Sequence, residues 1–199
     1  MTSTRSDLAA LIGSRICHDL ISPIGAISNG VELMEMTQTN MGPEFELISE
    51  SVANANARVR LFRLAFGAAN PGIEVGSGDI VDMLRDYTRP TRLEIRWNIE
   101  AKVPRAEAKL ALLVLLCFET AMPWGGSIDV TLADGRWSVI GTAERIKVNA
   151  DLWEVLAHSG GGHEVAPSEV QFLMVPDVLR ETGRQMSTVF DETGITARF

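Results

Sequence analysis

The chain has little cysteine. Two residues, Cys17 and Cys117, stand among 199, too far apart and too few for a disulfide framework or a cysteine-based zinc site. That points to a reducing compartment, with both thiols expected to pack as small hydrophobes. Long apolar runs are also lacking. The N-terminal stretch "MTSTRSDLAALIG" has no leader-like apolar core, and no later segment reaches the roughly 20 uncharged apolar residues of a membrane span. A cytoplasmic protein that does not enter the membrane is expected. Positive charge is scarce as well: 18 Lys and Arg against 26 Asp and Glu give a net charge of -8. Neutralising phosphates needs a clustered basic surface, so this balance argues against a nucleic-acid binder. What the chain does have is 46% hydrophobic residues, enough to build real cores.

Composition shifts at "FGAANPGIEVGSGD", residues 66–79, where four glycines and a proline separate two different patterns. This divides the chain into a helical part, residues 1–70, and a mixed part, residues 71–199. In the first, Phe45, Ile48, Val52, Ala55, Val59, Phe62 and Phe66 alternate spacings of three and four, the repeat of a left-handed helical seam. Pro43 suits the first turn of that helix and Gly67 its end. A preceding helix, about residues 6–37, carries a matching stripe through Ile12, Ile16, Leu20, Pro23, Ile24, Ile27, Val31 and Met34. Together they predict an antiparallel hairpin. One hairpin offers little core for two such stripes, so pairing with a second copy into a four-helix bundle, hence a homodimer, is expected.

Placing His18 on the first helix at about 100° per residue sets it roughly 180° from the centre of the apolar stripe. His18 is therefore predicted to face water. Ser14, Arg15, Ser22, Gly25 and Asn29 fall around it at helical spacings, most of them small, which makes a flat face that another protein can approach. Pro23 lacks the amide that would bond back to the Asp19 carbonyl and so loosens the helix below the histidine. Taken alone, an outward histidine is an ordinary solvated residue. Metal binding by Cys17 and His18 is disfavoured because adjacent helical residues diverge, and no metal site is expected. His158 and His163 flank a glycine loop and read as loop surface.

The run His18, Asp19, Leu20, Ile21, Ser22, Pro23 resembles the phosphoacceptor box of two-component histidine kinases: histidine, acid, aliphatic, any residue, small polar residue, proline. The hairpin is the context that box requires. The second half is similar to the kinase ATP-binding domain in layout. A helix near residues 79–87 precedes a strand, residues 92–100, with alternating Leu93, Ile95, Trp97 and Ile99. An apolar helix follows over residues 105–122, then a hairpin turning at Asp134-Gly135. Helices near 151–158 and 168–181 and two short strands, "STVF" and "ITARF", complete an α/β sandwich. The expected fold class is α+β.

The nucleotide chemistry departs from the kinases. The position matching their magnesium-binding asparagine is Cys117, and a thiol is a poor ligand for that hard cation. The adenine-reading box matches "GTAER", where the acid has become Gly141 and the glycines Ala143 and Arg145. A phosphoacceptor hairpin joined to such a degenerate nucleotide site resembles the ChpT-type alphaproteobacterial histidine phosphotransferases. The resemblance covers nearly the whole chain and is most specific in "HDLISPIGAISNGVEL".

That resemblance implies a phosphorelay intermediate. His18 would take the phosphoryl group from a receiver-domain aspartate, as of a hybrid histidine kinase, and pass it to the aspartate of a response regulator. The protein would need no cofactor of its own, magnesium coming from the receiver. Asp19 would orient the other imidazole nitrogen, take its proton or instead join a nearby salt bridge, and Arg15 would either soften phosphoryl charge or remain a solvated surface residue. Ser14, Ser22, Gly25 and Asn29 would shape the docking face. Two rivals remain: an ATP-dependent histidine kinase with an aberrant nucleotide site, and a non-catalytic dimeric signalling adaptor in which His18 is incidental.

Overall fold

The computed structural model describes residues 2–37, 43–157 and 165–199. Helix α1 runs Thr2–Thr37 and α2 Pro43–Ala65, packed as a hairpin along much of their length. At 1.5 Å per residue α1 is about 54 Å long, far longer than the rest of the molecule needs. It continues through Pro23, which is buried. The end of α2 is tied down by cations from below: Arg105 donates to the carbonyls of Arg63 and Ala68, and Lys109 to that of Gly67. These bonds satisfy carbonyls that a helix terminus leaves open.

The remaining elements are β1 (Glu74–Val75), α3 (Ser77–Thr88), β2 (Leu93–Asn98), β3 (Val103–Pro104), α4 (Arg105–Ala121), β4 (Gly126–Ala133), β5 (Arg136–Thr142), α5 (Ala150–Ala157), α6 (Gln171–Thr182), β6 (Ser187–Phe190) and β7 (Gly194–Arg198). A single 3-10 turn, Pro167–Glu169, precedes α6. Five strands form one sheet in the order β2-β4-β5-β7-β6, with β2 parallel to β4 and every other pair antiparallel; β1 and β3 form a two-stranded ladder. The α+β class is thus observed. The β4–β5 turn places Asp134 at φ 51° and Gly135 at φ 73°, the paired positive values that a tight hairpin requires.

Helix α4 is the centre of the molecule. Every residue from Ala108 to Phe118 is buried, because α2 and α6 pack on α4 and strands β4 and β5 also lie against it. Tyr87, Phe118, Trp137 and Phe172 are among the largest buried side chains. The core is one continuous cluster that also takes in Ala57, Leu61, Phe62 and Ala65 of α2, with Leu8, Ile12 and Ile16 of α1 packed against it. So the half of the hairpin near its N- and C-terminal ends lies on the second domain. The other half projects away, and along it Ile24, Val31, Phe45 and Val52 are exposed, as is Val59 nearer the second domain. Among the described residues no helix is long and apolar enough to cross a membrane.

The expected helices and strands recur with boundaries shifted by a few residues. Absent from the sequence reading are the β1–β3 ladder and the parallel pairing of β2 with β4. One expectation is corrected: Cys117 is buried, but Cys17 is exposed on α1 beside His18. His158, His163 and the glycine run between them lie outside the described residues.

Candidate functional site: an outward histidine over an ion-pair cluster

His18 sits near the middle of α1 with 82% of its side chain exposed. Ser14, Ser22, Gly25 and Asn29 are exposed on the same face, and so is Ile21, which the sequence reading left out of it. Beyond its chain neighbours and the backbone of its own helix turns, an added Cβ at Gly25 would meet nothing within 4 Å, so the surface there is open. The helix makes this face by periodicity alone, since these residues recur at spacings of three and four.

Turning about 100° around the helix leads from open surface to a nearly closed one. Asp19 has 10% of its side chain exposed, and its Oδ1 lies 3.1 Å from Nδ1 of His18. Its Oδ2 lies 2.6 Å from Nε of Arg15 and 3.8 Å from Nη1 of Arg58 on α2. A carboxylate only accepts hydrogen bonds, so the imidazole nitrogen that meets it is the protonated one. In a neutral ring Nε2 then carries the free lone pair. Asp19 thus meets the imidazole with one oxygen and the arginines with the other.

Arg15 is corrected from an expected place on the docking face. Its side chain is 10% exposed, and it donates to the Ser168 carbonyl on the 3-10 turn before α6. It supports the face from beneath. Arg58 donates to Asn54, 2.9 Å away, and lies 5.2 Å over the Tyr87 ring. Asn54 in turn donates to the carbonyls of Asp86 and Tyr87 at 3.2 Å. The Tyr87 hydroxyl reaches both oxygens of Glu119, at 2.9 and 2.8 Å. Burial raises the Glu119 carboxyl above its ordinary range, outweighing the Tyr87 hydrogen bond and the two arginines that pull it down. Burial, then Glu119, drives the Tyr87 hydroxyl well up.

Arg58, Tyr87 and Glu119 escaped the sequence reading. A signal was present for one of them: Glu119 is an acid inside the apolar helix "KLALLVLLCFETAM", and a buried carboxyl needs a partner.

The positions that resemble a kinase nucleotide site are packed differently. Cys117 is fully buried and burial pushes its thiol up, which disfavours the thiolate a metal would need. Gly141 lies under Phe118 and Met122, so that an added Cβ would come within 2.8 Å of the Phe118 ring and 2.9 Å of the Met122 sulfur. Ala143 is buried nearby, while Arg145 turns to the surface and stacks 3.6 Å over the Trp124 ring. Phe118, Trp153, Phe172 and Phe190 form an edge-packed aromatic cluster, so these positions lie against side chains.

Residues 77–194 match the family described as the histidine phosphotransferase C-terminal domain. Over 170 residues the chain is 37% identical to the protein phosphotransferase ChpT of Brucella abortus (strain 2308), covering 82% of this chain and 80% of that protein. A solved bacterial phosphotransferase superposes with a TM-score of 0.76 at 31% identity, over 96% of this chain and 95% of the other. The chain therefore belongs to the ChpT-type histidine phosphotransferases, and its activity is that of a phosphorelay phosphotransferase.

Proposed function

We propose that His18 is the phosphoacceptor and that the partners on either side of it are receiver domains. The observation that carries this is the combination at one residue of an exposed imidazole, a Nδ1 held by Asp19 and a neighbourhood of small exposed side chains. Nε2 attacks the phosphorus of a receiver's aspartyl phosphate. The N–P bond forms as the acyl O–P bond breaks, and the receiver's carboxylate leaves with the electron pair. The Nδ1 proton stays in place against Asp19, whose negative charge offsets the positive charge that the ring gains. The reverse steps on a second receiver's aspartate regenerate neutral His18. Such transfers rest on in-line positioning and charge neutralisation. We assign the neutralising magnesium to the receiver, with no cofactor resident in this chain.

The site works as a dimer in this reading. Ile24, Val31, Phe45, Val52 and Val59 lie exposed on the hairpin, in the positions of a helical seam. A second hairpin laid against them completes a four-helix bundle, each buried side chain contributing roughly 1.5 to 3 kcal/mol. The second domain keeps a kinase-like layout, and we infer that it does not bind ATP and that the protein works in the cytoplasm.

The test is to offer the protein a phosphorylated receiver in the absence of ATP and follow the label. Wild type should gain an acid-labile, alkali-stable phosphoryl group, and His18→Gln should gain none, because an amide cannot replace the ring nitrogen. Equal labelling of the variant would refute the assignment.

A further inference from the structure

We propose that Arg58, acting with Arg15, is a positioning residue for phosphoryl transfer: the two guanidiniums clamp the Asp19 carboxylate so that it holds His18 in its Nδ1–H form with Nε2 free to attack. The inference rests on His18 being the phosphoacceptor and adds what sets its reactive form. Both arginines approach the same oxygen, Oδ2, at 2.6 and 3.8 Å, while Oδ1 is left to the imidazole at 3.1 Å. A carboxylate free to rotate would exchange its oxygens and offer either to the ring. One pinned on Oδ2 presents Oδ1 in a fixed direction. With Oδ1 held in place as the acceptor, the proton stays on Nδ1 while Nε2 carries the phosphoryl group.

The clamp is itself braced, and by the second domain. Arg15 bonds the Ser168 carbonyl. Arg58 is held by Asn54, which bonds the carbonyls at the end of α3, and by the ring of Tyr87, whose hydroxyl is fixed on Glu119 of α4. A guanidinium suits this place because its planar fork binds an amide oxygen, a carboxylate and an aromatic face together. The second domain thus reaches the reactive nitrogen through two arginines, without touching the phosphoryl group.

The experiment uses the full-length protein and its Arg58→Met, Arg58→Lys and His18→Gln variants. Ring-nitrogen NMR shifts at neutral pH report the tautomer of His18, the signal being identified by its loss in His18→Gln. Single-turnover uptake from a saturating phosphorylated receiver reports the chemistry, with circular dichroism melting to confirm the fold. In wild type, Nε2 should show the unprotonated shift. Arg58→Met should raise the Nε2–H fraction and slow uptake about tenfold, the lower end of what losing an orienting partner costs a ligating histidine. Arg58→Lys should restore both in part. Arg58→Met with the wild-type tautomer, or a wild type already in the Nε2–H form, would overturn the clamp even if His18→Gln stays unlabelled. Labelling of His18→Gln would instead remove the phosphoacceptor reading, whatever the tautomer.

Discussion

The face around His18 and the interior around Gly141 use small residues for opposite ends. On α1, Gly25 leaves a surface with nothing beyond its own helix turns within 4 Å of where a side chain would begin. On β5, Gly141 lets Phe118 and Met122 close to within 3 Å of that point. Approach by another macromolecule needs vacant surface outside the chain, whereas a packed core needs the vacancy filled. The same residue type therefore leaves an open surface in one place and lies under packed side chains in the other. What separates them is whether an aromatic ring lies over the glycine.

The largest effect expected from breaking this contrast is at Gly25. Gly25→Trp should fold as wild type, since the site is empty, yet reduce phosphoryl uptake by about 100-fold or more by occupying the approach surface. Uptake at the wild-type rate would show that the receiver docks elsewhere. Next comes the exposed seam of the hairpin. Val52→Asp with Val59→Asp places charges at residues exposed in the single chain but buried in the bundle. Sedimentation should show a folded monomer, with association weakened by about 100-fold or more. A wild type that sediments as a monomer at micromolar concentration would defeat the dimer.

In the closed region the effect falls on stability. Phe118→Ala removes a fully buried ring and should cost about 3 to 5 kcal/mol in denaturant unfolding, while the surviving folded protein still accepts phosphate. A loss of under about 1 kcal/mol would mean that the interior is not packed as described. The smallest effect is a pH dependence at Glu119. Its carboxyl is raised above its ordinary value of 4.5 in the folded protein, so the unfolded chain ionises first. The native state then loses stability as pH climbs from that value through the raised one. Thermal melting of Glu119→Gln should therefore gain on wild type over that window and run parallel above it. A variant that loses stability relative to wild type as pH rises through that window would contradict the direction of the shift.

How much of this was legible in the sequence depended on the range of the contacts involved. The hairpin, the outward angle of His18 and the β4–β5 turn are set by periodicity and local backbone needs, and were readable. Arg15 was not, because the helix alone puts it on the polar side and its burial comes from Ser168, 153 residues later in the chain. Arg58, Tyr87 and Glu119 sit on three different helices and meet only once α2, α3 and α4 pack, so no spacing could announce them. The pairing of β2 with β4 crosses the whole of α4, and β1 and β3 are two residues each, below any periodic signal. Cys17 was misplaced by judging its neighbours' composition: at about 100° per residue it falls at the edge of the apolar stripe, beside Ile24, which is exposed too.

The most direct measurement of the central claim is a relay without ATP. One labelled phosphoreceiver is mixed with this protein and a second, unlabelled receiver, and the label is followed in time. Wild type should pass it through a transient alkali-stable phosphohistidine to the second receiver, and His18→Gln should leave it on the first. Transfer at the same rate through His18→Gln, or label arriving on the second receiver with no phosphohistidine in between, would contradict the account.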